Sequence, residues 1–222
     1  DCMENFNNHK LFFKAWTLES GNELWTSDGT EAGTYEVFNA DPSVNPDNGI
    51  GNGHGVFGEG WEVYKGRIWF RGWSSSGGYE LAGSNLEKGD YQYFDYFTLN
   101  PSNVNNSYPD PGCVFQNTYM FCGADGFDAA AVPAQHGGEL LCFDGTKIWR
   151  QSEDFTPGTL CDWVKEPTVA GGSFYWMNEA NDIAQGLGSG LYRLDDVTGK
   201  PVVVPTITTT GDNVNTLRNL AG

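Results

Sequence analysis

The sequence predicts an all-β protein, a β-propeller of four blades with four antiparallel strands each. Glycine and aromatic residues are abundant, with 30 Gly, 8 Trp, 10 Tyr and 14 Phe among 222 residues. No long stretch repeats its apolar residues at the helical period. An aromatic strand recurs around Phe13, Phe70, Phe121 and Trp176, which makes the repeat about fifty residues long. Four strands per repeat at this period are typical of propeller blades.

Each repeat can be divided into four strands joined by turns. The candidates in the first repeat are Cys2–Phe6, Leu11–Trp16, Glu23–Thr26 and Tyr35–Phe38. The four blades are expected at approximately 2–38, 56–97, 112–151 and 161–204, within a single domain of residues 1–222. The tail, residues 205–222, has too few apolar residues for a blade. It is expected to cap or close the ring, or to be the end of a piece processed from a longer chain.

Apolar residues fall on both faces of the predicted second strand. Leu11, Phe13 and Ala15 share one face in the first repeat, and Phe12 and Trp16 share the other. Both faces must therefore be covered, as they are when blades stack around an axis. A sandwich of two sheets is the main alternative architecture.

The charge balance excludes some classes of partner. The chain has 12 Lys and Arg against 29 Asp and Glu, and its formal net charge of −17 repels nucleic acid and anionic membranes. No stretch approaches the ~20 apolar residues of a membrane span. The chain opens at Asp1 without an initiator Met and has a glycosylation sequon at Asn105, and both features are typical of a processed, secreted glycoprotein.

One stretch, Glu23–Thr34, has the sequence ELWTSDGTEAGT. Its centre, Ser27-Asp28-Gly29, supplies residues that suit a tight turn between two strands. The stretch Glu139–Thr146 keeps the Glu-Leu and Asp-Gly-Thr elements. On these residues the chain resembles a family of secreted and cell-surface proteins with tandem repeats of Glu-Leu-Trp, two residues, Asp-Gly-Thr, two residues and Gly-Thr. The resemblance implies a β-propeller that serves as an extracellular binding or structural module, without a shared set of catalytic residues.

The Asp-Gly-Thr turns are candidate calcium sites. Asp28, Thr30 and Glu31 in the first repeat, and Asp144 in the third, place oxygen atoms densely on one turn, as Ca²⁺ requires. The alternative is that each aspartate bonds to the backbone of its own turn. Calcium is the cofactor for which the sequence offers candidate ligands.

Three residues are candidates for ligand binding. Trp73 precedes the polar run Ser74–Gly78, so it is expected to be exposed at the mouth of a loop. His54 lies in a glycine-rich connection, and Trp61 is a further aromatic candidate. The alternative for the tryptophans is packing between blades.

The five cysteines lack the close spacings of a zinc site. Cys122 and Cys142 fall on the second and third strands of one repeat, at similar distances from the loop between them, so a disulfide is predicted between them. Cys2 and Cys161 occupy first strands of the first and last repeats, and a bond between them would close the ring. Cys113 with Cys161 is the alternative pairing.

These features together predict a secreted, non-enzymatic module that binds a protein, glycan or small ligand through its loops, alone or in a larger assembly. The connections Asn39–Gly55, Leu99–Gly112 and Asn178–Ser189 vary most and are expected to lie outside the core. No short catalytic motif occurs in the sequence. The alternatives are a metal-dependent enzyme with carboxylates in a central channel, and a carrier of an apolar pigment or lipid.

Overall fold

A computed structural model describes residues 4–6, 10–40, 57–74, 78–94, 107–124, 138–151, 164–178 and 190–204. The chain divides into two compact units, Asp1–Tyr108 and Pro109–Gly222, each of which contains two sheets. In the first unit, sheet A consists of β1 (Glu4–Phe6), β2 (Lys10–Thr17), β3 (Gly21–Ser27) and β4 (Tyr35–Phe38), and sheet B of β5 (Phe57–Tyr64), β6 (Arg67–Ser74), β7 (Gly78–Ser84) and β8 (Gln92–Phe94). In the second unit, sheet C consists of β9 (Asp110–Phe115), β10 (Thr118–Ala124), β11 (Gly138–Phe143) and β12 (Ile148–Arg150), and sheet D of β13 (Val164–Ala170), β14 (Ser173–Asn178), β15 (Gly190–Leu194) and β16 (Pro201–Val203).

Every sheet is an antiparallel meander in which strands adjacent in sequence are also adjacent in space. The prediction of an all-β chain with four groups of four antiparallel strands is confirmed. The single domain over residues 1–222 stays a prediction.

Short hairpin turns fix the register between the first and second strands of three sheets. The turns are Lys65-Gly66, Gln116-Asn117 and Gly171-Gly172, and φ is positive at both residues of each. Two successive residues in this region define the type I′ turn, whose twist matches that of the strands it joins. These turns make the strand pairs tight, so the register is set locally.

The core of the first unit lies between sheets A and B. Phe38 of sheet A stacks on Tyr91 with ring centroids 4.3 Å apart and planes inclined by only 3°. The buried residues of this core come from both sheets and the turn after β7: Phe6, Phe12, Leu24, Val37, Ile68, Phe70, Ala82 and Leu86. Sheets A and B therefore pack face to face and bury a continuous apolar layer.

The core of the second unit has the same construction. Sheets C and D bury one common cluster, Phe115, Met120, Cys122, Leu140, Cys142, Val164, Phe174, Trp176, Tyr192 and Leu194. Trp176 stacks on Tyr192 at 5.8 Å within sheet D, and Phe115 of sheet C meets Phe174 of sheet D at 5.8 Å. Consecutive sheets again pack face to face.

Sheets B and C bury side chains on both faces. Trp69 and Leu81 point away from sheet A and are buried. Phe121 and Leu141 point away from sheet D and are also buried. Sheet A differs, because Leu11 on its second face is 43% exposed. The sequence pattern with apolar residues on both faces is thus realised as two-sided burial in the two middle sheets.

Candidate functional site

An aspartate follows the third strand of three sheets and closes the next turn. Asp28 Oδ1 accepts hydrogen bonds from Thr30 N at 2.9 Å and Thr30 Oγ1 at 2.7 Å. Asp144 Oδ1 accepts from Thr146 N, Thr146 Oγ1 and Lys147 N at 2.7–3.0 Å. Asp195 Oδ1 accepts from Val197 N, Thr198 N and Thr198 Oγ1 at 2.8–3.1 Å.

These hydrogen bonds stabilise the ionised carboxylates. The Thr146 hydroxyl, followed by the backbone of Lys147 and Thr146, lowers the pKa of Asp144 to about 2. The Thr30 hydroxyl lowers the pKa of Asp28 in the same way, and the Thr198 backbone N–H is the largest cause of the lowered pKa of Asp195. The Asp-Gly-Thr motif is therefore an Asx turn in which threonine supplies two donors.

The second glycine of the motif is needed for the same turn. A Cβ on Gly33 would lie 1.9 Å from Asp28 Oδ1, so any side chain there would displace the carboxylate. Gly33 N also donates to Thr30 Oγ1 at 3.0 Å. The Gly-Thr that closes ELWTSDGTEAGT thus packs against its own Asp-Gly-Thr.

The candidate calcium ligands are engaged in these turns. Asp28 and Asp144 accept hydrogen bonds within their own turns, from Thr30 in the case of Asp28, as the alternative to calcium binding predicts. Glu31 is exposed. Among the described residues, no three His, Cys, Asp or Glu side chains form a group that could hold a metal ion. Calcium binding stays a prediction.

A buried glutamate occupies an equivalent position on the third strand of three sheets. The three residues, Glu23, Glu80 and Glu139, pair with the small residues Ala15, Gly72 and Gly123 on the second strand. Glu80 Oε1 accepts from Ser107 N at 2.9 Å, and Oε2 accepts from Ser107 Oγ. Glu23 Oε1 accepts from Ala40 N at 3.2 Å. In sheets A and B, the glutamate therefore holds the chain after it has left the fourth strand.

This role was not predicted from the sequence. The connection Leu99–Gly112 was expected to lie outside the core, yet its described end is buried at Ser107 and Pro109. Ser107 N and Tyr108 N also donate to Tyr79 O at 2.9 and 3.1 Å. The available signal was the repeated Glu-Leu pair, because a glutamate within an apolar strand requires a buried partner.

The sequon at Asn105 ends in the same buried serine. Asn105 lies outside the described residues, whereas the Ser107 hydroxyl donates to Glu80. Glycosylation at Asn105 stays a prediction.

The aromatic candidates have structural roles. Trp73 is half-buried rather than exposed, its carbonyl accepts from Tyr91 Oη at 3.4 Å, and ligand binding by Trp73 stays a prediction. Trp61 lies 5.2 Å from Phe12 and 5.3 Å from Phe70, which is the packing alternative. His54 lies outside the described residues. Trp16, which is 55% exposed, is the more accessible tryptophan.

The predicted disulfide between Cys122 and Cys142 is absent. The register pairs Cys122 with Leu140 and Cys142 with Met120, so the cysteines are diagonal neighbours. Diagonal Cα atoms lie about 7–8 Å apart, beyond the usual span of a disulfide. The partners proposed for ring closure, Cys2 and Cys161, lie outside the described residues, and so does the Cys161 of the alternative pair with Cys113.

Cys142 instead donates its thiol to Gln151 Oε1 at 2.8 Å. Burial raises the pKa of Cys142 to about 12, so the thiol stays protonated at neutral pH. Gln151 N donates to Leu140 O at 2.9 Å, which fixes its backbone beside sheet C. The thiol and this backbone bond together hold the Gln151 side chain in one orientation.

A cavity of about 140 Å³ lies between sheets C and D, beside Gln151. It is lined by Phe115, Gln116, Thr118, Met120, Gln151, Leu194, Asp195, Asp196 and Gly199. Polar groups come from the β9–β10 and β15–β16 turns and from the end of β12, and the apolar groups belong to the core. The sequence did not predict this cavity, because its lining combines residues of two sheets that are distant along the chain.

None of the described residues belongs to a helix long and apolar enough to cross a membrane. No model of a known protein family matches the chain. No curated protein matches it in sequence either.

Solved structures that are similar to the chain include those of a TolB protein and an arabinofuranosidase. TolB from Acinetobacter baumannii matches 90% of the chain at 13% identity and a TM-score of 0.46, and the chain spans 42% of the length of TolB. The α-L-arabinofuranosidase CtGH43 from Clostridium thermocellum matches 95% of the chain at 12% identity and a TM-score of 0.41, over 72% of its own length. Neither similarity assigns the chain to a family.

Proposed function

We propose that the chain is a non-enzymatic, extracellular binding or structural module, built as a four-bladed β-propeller. Four consecutive meanders of four strands support the blade assignment. Face-to-face packing of sheet A on sheet B, and of sheet C on sheet D, supports it further.

One observation carries the proposed binding function. The recurring aspartates and glutamates of the repeats form hydrogen bonds within the chain itself. Asp28, Asp144 and Asp195 each bond to their own turn. Glu23 and Glu80 hold the segments that follow the fourth strands. These bonds fix the ends of the sheets, and a fixed framework can carry connections of variable sequence.

The proposed contacts are therefore made by the connections between strands and between sheets. The segments at 41–56 and 179–189 are the candidates, because both are long connections and the first is rich in glycine and asparagine. The proposed partner is a protein or glycan, and self-association into a larger assembly is included. The net charge of −17 favours neutral or cationic partners.

Replacement of the two connections tests this function. Segments 41–56 and 179–189 are exchanged for Gly-Ser sequences of the same length, separately and together. Wild-type protein and variants are applied to a printed glycan array, and self-association is measured by sedimentation velocity. The expected result is binding or self-association by the wild type, which the variants lose while their thermal unfolding midpoint stays nearly the same.

The matched control exchanges the short turn Lys65-Gly66 for Asn-Gly. Both residues have positive φ, which Asn-Gly also adopts, so the fold and the binding should both persist. Binding that survives the double exchange contradicts the assignment to these connections. Turnover of an array glycan that is abolished by replacing carboxylates would replace the binding function with an enzymatic one.

A further inference from the structure

The cavity between sheets C and D has the size of one six-membered ring. Its volume is about 140 Å³. A protein cavity of about 150 Å³ is known to hold benzene. The cavity is thus large enough for one small ring and smaller than the sites that hold drug-sized molecules.

Its lining disfavours anions. Asp195 and Asp196 contribute carboxylates, and none of the described residues that line the cavity carries a positive charge. The hydrogen bonds that lower the pKa of Asp195 keep it ionised at neutral pH. A phosphate or carboxylate would meet like charge from both aspartates there, so the lining favours a neutral or cationic ligand.

Gln151 presents a donor to the cavity. The Cys142 thiol occupies Oε1, so the amide nitrogen is the end that remains for a ligand. Nε2 lies 3.7 Å from the position that a Cβ on Gly199 would take, and Gly199 lines the cavity. The absence of a side chain at Gly199 keeps the space beside this donor open.

The aspartates present acceptors. Asp195 Oδ1 takes the three bonds of its turn, and Oδ2 takes part in none of them. Asp196 Oδ2 lies 3.9 Å from Arg193 Nη1, beyond hydrogen-bond distance, and the Asp196 side chain is 60% exposed. Both carboxylates can therefore accept from a ligand.

A ligand that satisfies this lining must accept from Gln151 and donate to the aspartates. An ammonium group has three donors and no acceptor, whereas a hydroxyl both donates and accepts. Phe115, Met120 and Leu194 supply an apolar wall for the C–H groups of a ring. We propose that the cavity binds a neutral, polyhydroxylated ring, that is, one sugar unit. This inference goes beyond the proposed binding function, because the cavity is a site separate from the connections at 41–56 and 179–189.

NMR titration of the full-length chain tests the proposal. The probes are methyl glycosides of common hexoses and pentoses, a trisaccharide ending in the unit that shifts most, and 1,5-diaminopentane as the ammonium probe. A methyl glycoside is expected to give saturable shifts confined to the Gln151 side-chain amide, residues 116–118 and residues 196–199. Tighter binding of the trisaccharide than of the methyl glycoside identifies the ligand as the end of a glycan. Equal binding of the two identifies the ligand as a free sugar.

Two variants locate the hydrogen bonds. Gln151→Leu removes the donor at similar size, and Asp196→Ala removes an exposed acceptor, so each should weaken glycoside binding by about tenfold. Glu19→Ala is the matched control, because Glu19 is an exposed carboxylate in the first unit. The control should bind as the wild type does, and the amide spectrum verifies that each variant is folded.

Three results would overturn the inference: no shift with any glycoside, wild-type affinity for the glycoside in both variants, or stronger binding of diaminopentane than of every glycoside. If the glycosides fail while exchange of the two connections still abolishes array binding, the cavity inference alone is wrong. If the wild type shows neither array binding nor self-association, the proposed function is wrong.

Discussion

Glu80 illustrates how one buried side chain organises its surroundings. Its two carboxylate oxygens bond to the backbone and the hydroxyl of Ser107, 27 residues further along the chain. A buried charge is costly unless it is hydrogen-bonded, so the bonds to Ser107 stabilise the first unit. Gly72, which pairs with Glu80 on the facing strand, leaves room for the Tyr91 hydroxyl, which would lie 2.2 Å from a Cβ at that position.

Glu80→Ala is predicted to destabilise the first unit by about 2–4 kcal/mol, because it leaves buried donors of Ser107 without this acceptor. Ser107→Ala removes only the hydroxyl donor and should cost about 1–2 kcal/mol. Urea unfolding, monitored by hydrogen exchange of β6 and β7 amides, measures both. The exposed Glu87→Ala is the control and should stay within about 0.5 kcal/mol of the wild type. A similarly small effect of Glu80→Ala would show that the hydrogen bonds between Glu80 and Ser107 are dispensable.

Asp144 gives a prediction for acid stability. Its pKa is about 2 in the folded chain against an ordinary value of 3.8. A lowered folded pKa stabilises the fold above the unfolded pKa, and this contribution is lost as the pH falls from about 4 to about 2. Asp144→Asn, which keeps an acceptor but has no charge, should show a shallower loss of stability in this window.

The measurement is the urea midpoint at a series of pH values from neutral to acid. Glu87→Gln serves as the control, since Glu87 is an exposed carboxylate on another turn. Its pH profile should follow that of the wild type. Identical acid profiles for wild type and Asp144→Asn would rule out a contribution from this turn.

At the scale of elements, the strands were predictable and their mutual register was not. The aromatic second strands and the Glu-Leu third strands are local patterns, so their positions could be derived from the sequence alone. The relation of Cys122 to Cys142 depends on the pair Ala124 and Gly138 that ends the β10–β11 ladder. Counted from that pair, Cys122 lies two residues back and Cys142 four residues on, which separates the thiols.

The candidate site was less predictable than the strands. Asp28 and Asp144 were recognisable as turn residues because their hydrogen-bond partners are two or three residues away. Trp73 was assigned to an exposed position, but its burial depends on packing around β6 that the adjacent Ser and Gly residues do not reveal. The cavity beside Gln151 likewise requires the face-to-face packing of two sheets.

Close approach between strands gives a prediction for Gly83 of β7. A Cβ there would lie 2.5 Å from the Trp69 ring on the paired strand. Gly83→Ala should therefore destabilise the first unit by about 1–3 kcal/mol, because the buried ring has to move. The change is measured by urea unfolding with Trp fluorescence as the probe.

Gly66→Asn is the matched control for this substitution. No atom lies within 4 Å of a Cβ at Gly66, and asparagine tolerates its φ of 73°. The expected change is about 0.5 kcal/mol or less. If Gly83→Ala were as mild as the control, the tight contact with Trp69 would not exist in solution.

At the scale of the whole molecule, the net charge of −17 predicts a salt dependence. Like charges on a compact chain repel one another, and salt screens this repulsion. Raising NaCl from about 0.01 M to about 0.15 M shortens the Debye length from about 30 Å to about 8 Å, so the thermal unfolding midpoint should rise. Differential scanning calorimetry measures the change.

A charge-reduced variant provides the comparison. It neutralises exposed acidic residues of both units: Glu19→Gln, Glu31→Gln, Glu87→Gln and Glu166→Gln. Its midpoint should rise less with salt than that of the wild type, because less repulsion is left to screen. A midpoint that falls with salt in the wild type would mean that attractive ion pairs such as Arg67–Asp90 outweigh the repulsion.

The meander order of the strands has a consequence for synthesis on the ribosome. Within each sheet, every strand after the first pairs with the one made immediately before it, so no strand has to wait for a distant segment to emerge. Sheets A and B share their own core, and the Ser107 that Glu80 binds is the penultimate residue of the first unit. The first unit can therefore form the core between sheets A and B, and the bonds between Glu80 and Ser107, while the second unit is still being translated. Early formation of these contacts limits the time during which unpaired strand edges are exposed to other nascent chains.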